Sequence, residues 1–163
     1  PEVVTGKPIS IGGSVFRREA TGAGVVMVAE QAARRLGYEL AGRSCVVQGF
    51  GNVGGVAASE LHERGASVIA VSDVSGGVHD GRGLDVPALH AYAAGHGSLE
   101  GYDRCERITN EQLLELACDV LVLAAREDQL TSANADRVHA SLVIEGANGP
   151  TTIEAVTLTE LSM

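Results

Sequence analysis

Apolar residues recur along the chain in two periods, and the alternation between them sets the expected architecture. From residue 19 to about 36, Ala20, Val25, Val28, Ala29, Ala32, Ala33 and Leu36 return at three- and four-residue steps, the spacing of one helical face. Gly37 is a plausible stop and 40–42 a turn. Residues 44–49 form a short apolar run ending in glycine, as a strand buried on both faces would. A helix is expected from 52 to about 64, with Val53, Val56, Ala57 and Leu61 apolar and Gly65 ending it. A second buried strand follows at 67–73 and ends in Asp73. Residues 74–103 are broken by seven glycines around a short helix near 86–94. A weak strand at 107–109, a helix over 111–116 capped by Asn110, a strong strand at 119–123, a short helix at 132–138 and a strand at 142–145 complete the pattern. Strands alternating with helices predict an α/β fold, a doubly wound, mostly parallel sheet with helices on both faces. Residues 1–14, rich in Pro, Gly and Ser, read as a loop or linker.

The length of 163 residues corresponds to one domain, at roughly 100–200 residues each. With 45% hydrophobic and 20% charged residues, the chain can bury a core, which excludes disorder. Aromatics are only 3% and Trp is absent, so the core must be aliphatic and base-stacking platforms are not expected. A net charge of −9 argues against nucleic-acid or anionic-membrane partners, whose phosphates are bound by Lys and Arg. Lys7 is the only lysine. Cys45, Cys105 and Cys118 lack metal-ligand spacing and sit in apolar surroundings, so they read as core residues in a reducing, cytoplasmic setting. No metal site is expected. The five histidines pair with no carboxylate or cysteine at ligand spacing and read as surface residues. No apolar run approaches membrane-spanning length, and the opening residues carry no secretory-leader pattern.

The chemistry concentrates at Gly49-Phe50-Gly51-Asn52-Val53-Gly54, a G-x-G-x-x-G turn. It follows an expected buried strand, opens an expected helix, and has Asp73 24 positions on, at the end of the next strand. These are the conditions of the Rossmann-type dinucleotide fingerprint. Gly49 would permit the sharp turn, Gly51 the approach of backbone to pyrophosphate, and Gly54 close packing of helix on strand. Amides at the helix start would face the phosphates, and Asp73 would accept from the adenosine ribose hydroxyls and repel a 2′-phosphate. The alternative is a glycine-rich turn with no ligand.

Longer motifs add a resemblance. Gly12-Gly13-Ser14-Val15-Phe16-Arg17-Arg18-Glu19-Ala20-Thr21-Gly22, the segment 47–54, Val71-Ser72-Asp73, Gly83-Leu84-Asp85, Ile108-Thr109-Asn110-Glu111, Asn134-Ala135-Asp136 and the segment 145–152 resemble, in order, the nucleotide-binding domain of glutamate dehydrogenases. The resemblance implies an amino-acid dehydrogenase of the glutamate/leucine/phenylalanine/valine type. In such an enzyme L-glutamate is converted to 2-oxoglutarate and ammonia as a hydride passes to a nicotinamide. It also implies one reversed strand in the sheet. By the same resemblance Thr21 and Asn148 fall near the nicotinamide end, Asn52 and Val53 over the pyrophosphate, and Ala124 and Ala125 in a small-residue wall beside the adenosine ribose. Arg17 matches a family arginine. The alternative readings are a helix-start hydroxyl for Thr21, a turn residue for Asn148 and a solvated surface residue for Arg17.

The pattern also breaks. The family's lysines and aspartate that hold and deprotonate the amino acid lie in a substrate domain N-terminal to the matched region, and Lys7 fits none of those positions. The expected organisation is therefore a linker at 1–14, a dinucleotide-binding domain at 15–152 and a tail at 153–163. This cofactor half would be inactive alone. Phe16 and Leu123 stand where the family usually has a small residue and Pro, and the run 126–129 is more charged than usual. NAD is the expected cofactor, from Asp73, with NADP possible. L-Glutamate and 2-oxoglutarate would be met only with the missing domain, in a parent homo-hexamer. The alternatives are a leucine- or phenylalanine-type dehydrogenase domain and a non-catalytic nucleotide-sensing module.

Overall fold

A computed structural model describes residues 7–14 and 16–160. The first six positions of the expected linker, Val15, and the last three positions of the expected tail lie outside the described residues. After a 3₁₀ turn at Ile9–Ile11 come α1 (Arg17–Arg35), β1 (Ser44–Gln48), α2 (Gly54–Glu63), β2 (Ser67–Asp73), β3 (Gly76–His79), α3 (Val86–His96) and β4 (Glu106–Ile108). Helix α4 (Asn110–Leu114), β5 (Cys118–Leu123), a 3₁₀ turn at Ala135–Arg137, β6 (Ala140–Glu145) and α5 (Ile153–Glu160) follow.

The six strands form one sheet in the order β4-β3-β2-β1-β5-β6. β1 pairs in parallel with both β2 and β5, and β5 in parallel with β6. β3 runs antiparallel to its two neighbours; it is the reversed strand. The fold is thus the expected α/β doubly wound, mostly parallel sheet. Because the chain leaves β1 toward β2 and later returns to place β5 on β1's other side, the strand order reverses between β1 and β5. Ligand crevices of open α/β sheets lie outside the strand ends at such a point.

Strand residues alternate between two aliphatic cores. Cys45, Val47, Val71 and Val120 face α1, α2 and α3, meeting Val26, Ala29, Leu61 and Leu89. Val46, Ile69, Leu121 and Leu123 face the other side, meeting Leu113, Leu130 and Ala155. Burial on both faces explains why the central strands carry continuous apolar runs.

Several elements differ from expectation for identifiable reasons. The buried stripe of α1 runs through Ala23, Val25, Val26, Ala29 and Ala33, leaving Val28 and Leu36 exposed. Helix α2 starts at Gly54 rather than at Asn52, since Asn52 and Val53 complete the turn. Helix α4 is capped by Thr109, not Asn110. Thr109 Oγ1 accepts from the Gln112 amide at 3.2 Å, and Gln112 Oε1 accepts from the Thr109 amide at 2.8 Å, a reciprocal capping box. The helix expected at 132–138 shortens to one 3₁₀ turn. Residues 153–160, expected as part of a tail, form α5, with Ala155 fully buried against the second core.

The N-terminal ends of β1 and β5 are stapled by Asp119. Its carboxylate accepts from the Ser44 amide and hydroxyl, both at 2.8 Å, and from Arg43 at 3.3 Å. Burial alone would raise its pKa, but the two Ser44 hydrogen bonds and Arg43 together outweigh it and hold it below 3.8. Burial pushes the Cys45 and Cys118 thiols up to about 12, in keeping with inert core residues. Among the described residues no helix is long and apolar enough to cross a membrane, and no group of three His, Cys, Asp or Glu residues could hold a metal ion.

Candidate functional site

The glycine turn leaves the C-terminal end of β1 at the reversal of strand order. Gly49 has a φ of 92°, a conformation open to glycine and strained for other residues. A Cβ there would lie 2.7 Å from the Ala124 carbonyl oxygen. A Cβ on Gly54 would overlap the Gly49 carbonyl oxygen, so the first turn of α2 rests directly on the strand end. Gly51 differs from both: nothing lies within 4 Å of where its Cβ would stand. The loop is closed on its two flanks and open at its middle. The N-cap position of α2, Val53, makes no side-chain capping hydrogen bond.

Two further glycines, which sequence reasoning did not single out as contacts, draw the neighbouring segments in. A Cβ on Gly22 would come within 2.6 Å of the Val53 carbonyl oxygen, so α1 crosses the loop at van der Waals distance. Thr21 is its neighbour, exposed, with Arg17 exposed one turn earlier. A Cβ on Gly146 would stand 3.3 Å from Val53 Cγ1 and 3.5 Å from Ala124 Cβ, bringing the loop after β6, with exposed Asn148, to the same place. The Ala124 amide donates to the Gln48 carbonyl at 2.9 Å, and the Gly146 amide to the Leu123 carbonyl at 2.8 Å. Thr21, the turn 49–54, Ala124, Ala125 and the 146–148 segment therefore converge on one end of the sheet. Leu123 lies fully buried in the second core, below this rim, while Phe16 is exposed just ahead of α1.

Side chains buttress the turn from behind. The Phe50 ring packs on His90, centroids 4.6 Å apart. His90 Nε2 lies 3.0 Å from the Gly55 carbonyl and 2.9 Å from Ser59 Oγ. His90 is thus a packing residue of α3 and not a surface one, and His79, 3.2 Å from Glu106 Oε2 across β3 and β4, has a carboxylate partner. Gln48, buried at the end of β1, donates from Nε2 to Gln129 Oε1 at 2.7 Å, fastening the loop after β5. That loop is tied to the one after β6 by the Gln129 amide donating to the Pro150 carbonyl at 2.7 Å. A polar residue in an otherwise apolar strand was the available signal for Gln48. His90 carried none, because its partners lie about 30 or more positions away.

Asp73 stands at the end of β2, half-buried. Its Oδ1 accepts from the Ser75 amide at 2.7 Å and the Ser75 hydroxyl at 2.6 Å, and its Oδ2 from the Leu99 amide at 2.6 Å. Asn110, released from capping, donates to the Asp73 carbonyl at 3.1 Å.

The architecture and this turn define a doubly wound α/β domain whose glycine-rich strand–helix connection lies at the switch point. The family model for Glutamate/Leucine/Phenylalanine/Valine dehydrogenase matches residues 12–161, and the chain belongs to that family. It is 50% identical to glutamate dehydrogenase A2 of Halobacterium salinarum over 156 residues, covering 95% of this chain and 37% of that protein. To the catabolic NAD-specific glutamate dehydrogenase RocG of Bacillus subtilis it is 44% identical, covering 95% and 36% respectively. A hetero-hexameric glutamate dehydrogenase from Thermus thermophilus superimposes with a TM-score of 0.90 at 39% identity, over 98% of this chain and 38% of the other. The chain therefore spans little more than a third of the relatives it matches.

Proposed function

We propose that this chain is the dinucleotide-binding domain of an NAD-dependent glutamate dehydrogenase. The carrying observation is the asymmetry of the loop glycines. Gly49 and Gly54 are enclosed by protein, whereas the space at Gly51 is open, as a backbone approached by pyrophosphate requires. NAD supplies a hydride acceptor when bound, for the conversion of L-glutamate and water to 2-oxoglutarate and ammonium with release of a proton. Gly49, Phe50, Gly51, Asn52, Val53 and Gly54 would hold the pyrophosphate, helped by the dipole of α2. Asp73, Ala124 and Ala125 would bound the adenosine ribose, and Arg17, Thr21 and Asn148 would orient the nicotinamide end. NAD rather than NADP is supported by Asp73 and by the NAD specificity of the Bacillus subtilis relative.

Residues 1–14 would link to a substrate domain and 15–152 bind the dinucleotide, while α5 packs Ala155 into the second core of that domain. The general base and the cations that grip the substrate carboxylates belong to that other domain, because Lys7 is the only lysine here. The parent protein would assemble as a homo-hexamer; the hetero-hexameric Thermus thermophilus neighbour supports the number of subunits and not their identity.

Calorimetric titration tests the cofactor half of this reading and a coupled assay the rest. NAD should bind the chain with a micromolar to millimolar dissociation constant, while glutamate-dependent NADH formation stays at background. Turnover by this chain alone would overturn the division of labour, and failure to bind either dinucleotide would point to a fold that has lost the site.

A further inference from the structure

Resting on the reading of Asp73 as the acid that faces the adenosine ribose, we propose that the Ser75 hydroxyl is a specificity-determining group. It occupies part of Asp73 and thereby weakens the discrimination between NAD and NADP.

An ionised carboxylate offers about four lone-pair positions. Three are already taken. The Ser75 amide and hydroxyl both donate to Oδ1, at 2.7 and 2.6 Å, and the Leu99 amide donates to Oδ2 at 2.6 Å. A ribose with free 2′- and 3′-hydroxyls is best gripped through both carboxylate oxygens, yet here Oδ1 is filled and a single position remains on Oδ2. Three donors also draw charge from the carboxylate, which lowers its repulsion of a 2′-phosphate.

The arrangement is braced from outside. Arg107 donates from Nη1 to the Leu99 carbonyl at 2.8 Å and from Nη2 to the Ser75 carbonyl at 3.0 Å. One guanidinium thus holds the two peptide segments whose amides hold Asp73. Of the three donors to Asp73, two are backbone amides that a side-chain substitution other than proline leaves in place. The Ser75 hydroxyl is the adjustable one.

The test is calorimetric titration of the 163-residue chain with NAD and with NADP, for the wild type and for Ser75→Ala and Ser75→Thr, with each variant's Tm recorded. The wild type should favour NAD by less than about tenfold. Ser75→Ala frees a position on Oδ1, so NAD should bind about three- to tenfold tighter, the scale of one charge-assisted hydrogen bond against water, while NADP binding stays the same or weakens. Ser75→Thr keeps the hydroxyl and should restore the wild-type ratio. Because a change in overall stability affects both dinucleotides alike, the NAD-to-NADP ratio separates this role from a structural one. A ratio unchanged within twofold in Ser75→Ala, or shifted toward NADP, would overturn the proposal while leaving the site assignment standing. Binding of neither dinucleotide to the wild type would overturn the site assignment, and this inference with it.

Discussion

At the residue scale, the glycines of the turn carry different physical loads. Gly54 is closed: a side chain there would run into the Gly49 carbonyl, which cannot move without dislodging the end of β1. Gly54→Ala should therefore cost about 3 kcal/mol, the upper end of overpacking penalties, and lower Tm by roughly 6–12 °C for a domain of this size. A thermal melt monitored by circular dichroism measures this, and an unchanged Tm would mean the helix start can slide off the strand. His90 belongs to the same scale. Its imidazole joins α3 to the first turn of α2 and carries the Phe50 ring on its face, so a half-buried histidine outside the motif fixes the motif's one aromatic residue. The glycine spacing was readable from the sequence because the turn is local. The closures by Gly22, Gly146, Gln129 and His90 were not, because each contact joins segments far apart in the chain.

At the element scale, the parallel strands were legible from their apolar runs, since burial on both faces leaves no alternation to confuse with a helix. β3 was not. Two of its four residues are glycine and only Val78 is apolar, so pairing with β2 and β4, rather than its own composition, makes it a strand. For α4 the helix was legible and its cap was not, because the Thr109–Gln112 capping box displaced the more obvious Asn110. The staple between β1 and β5 gives a measurable consequence. Asp119 has a folded-state pKa below its ordinary 3.8, so its contribution to stability is present above that value and is lost as pH falls through the folded value. Asp119→Asn should be less stable than the wild type at neutral pH, and the difference should shrink below pH 3.8. Denaturant melts at pH 7 and pH 3 give the comparison; a gap of equal size at both would assign the staple's effect to packing instead.

At the scale of the whole molecule, the sheet order places every segment of the glycine loop's surroundings at one end of the strands, while Asp119 and the buried Cys118 secure the other. In doubly wound sheets ligands bind in the crevice outside the carboxyl ends of the strands, the end where the glycine loop lies. The chain belongs to a dehydrogenase family yet spans little more than a third of its relatives. The proposed reading lays the dinucleotide's pyrophosphate along the open backbone at Gly51. Titrating the wild type and Gly51→Ala with NAD in the calorimeter, with Tm measured for both, decides it. Since the site of the added methyl is empty, the variant should melt within about 2 °C of the wild type, in line with the small effects of substitutions that clash with nothing, yet bind NAD at least tenfold more weakly. Equal NAD affinity in the two proteins, at equal Tm, would contradict the claim.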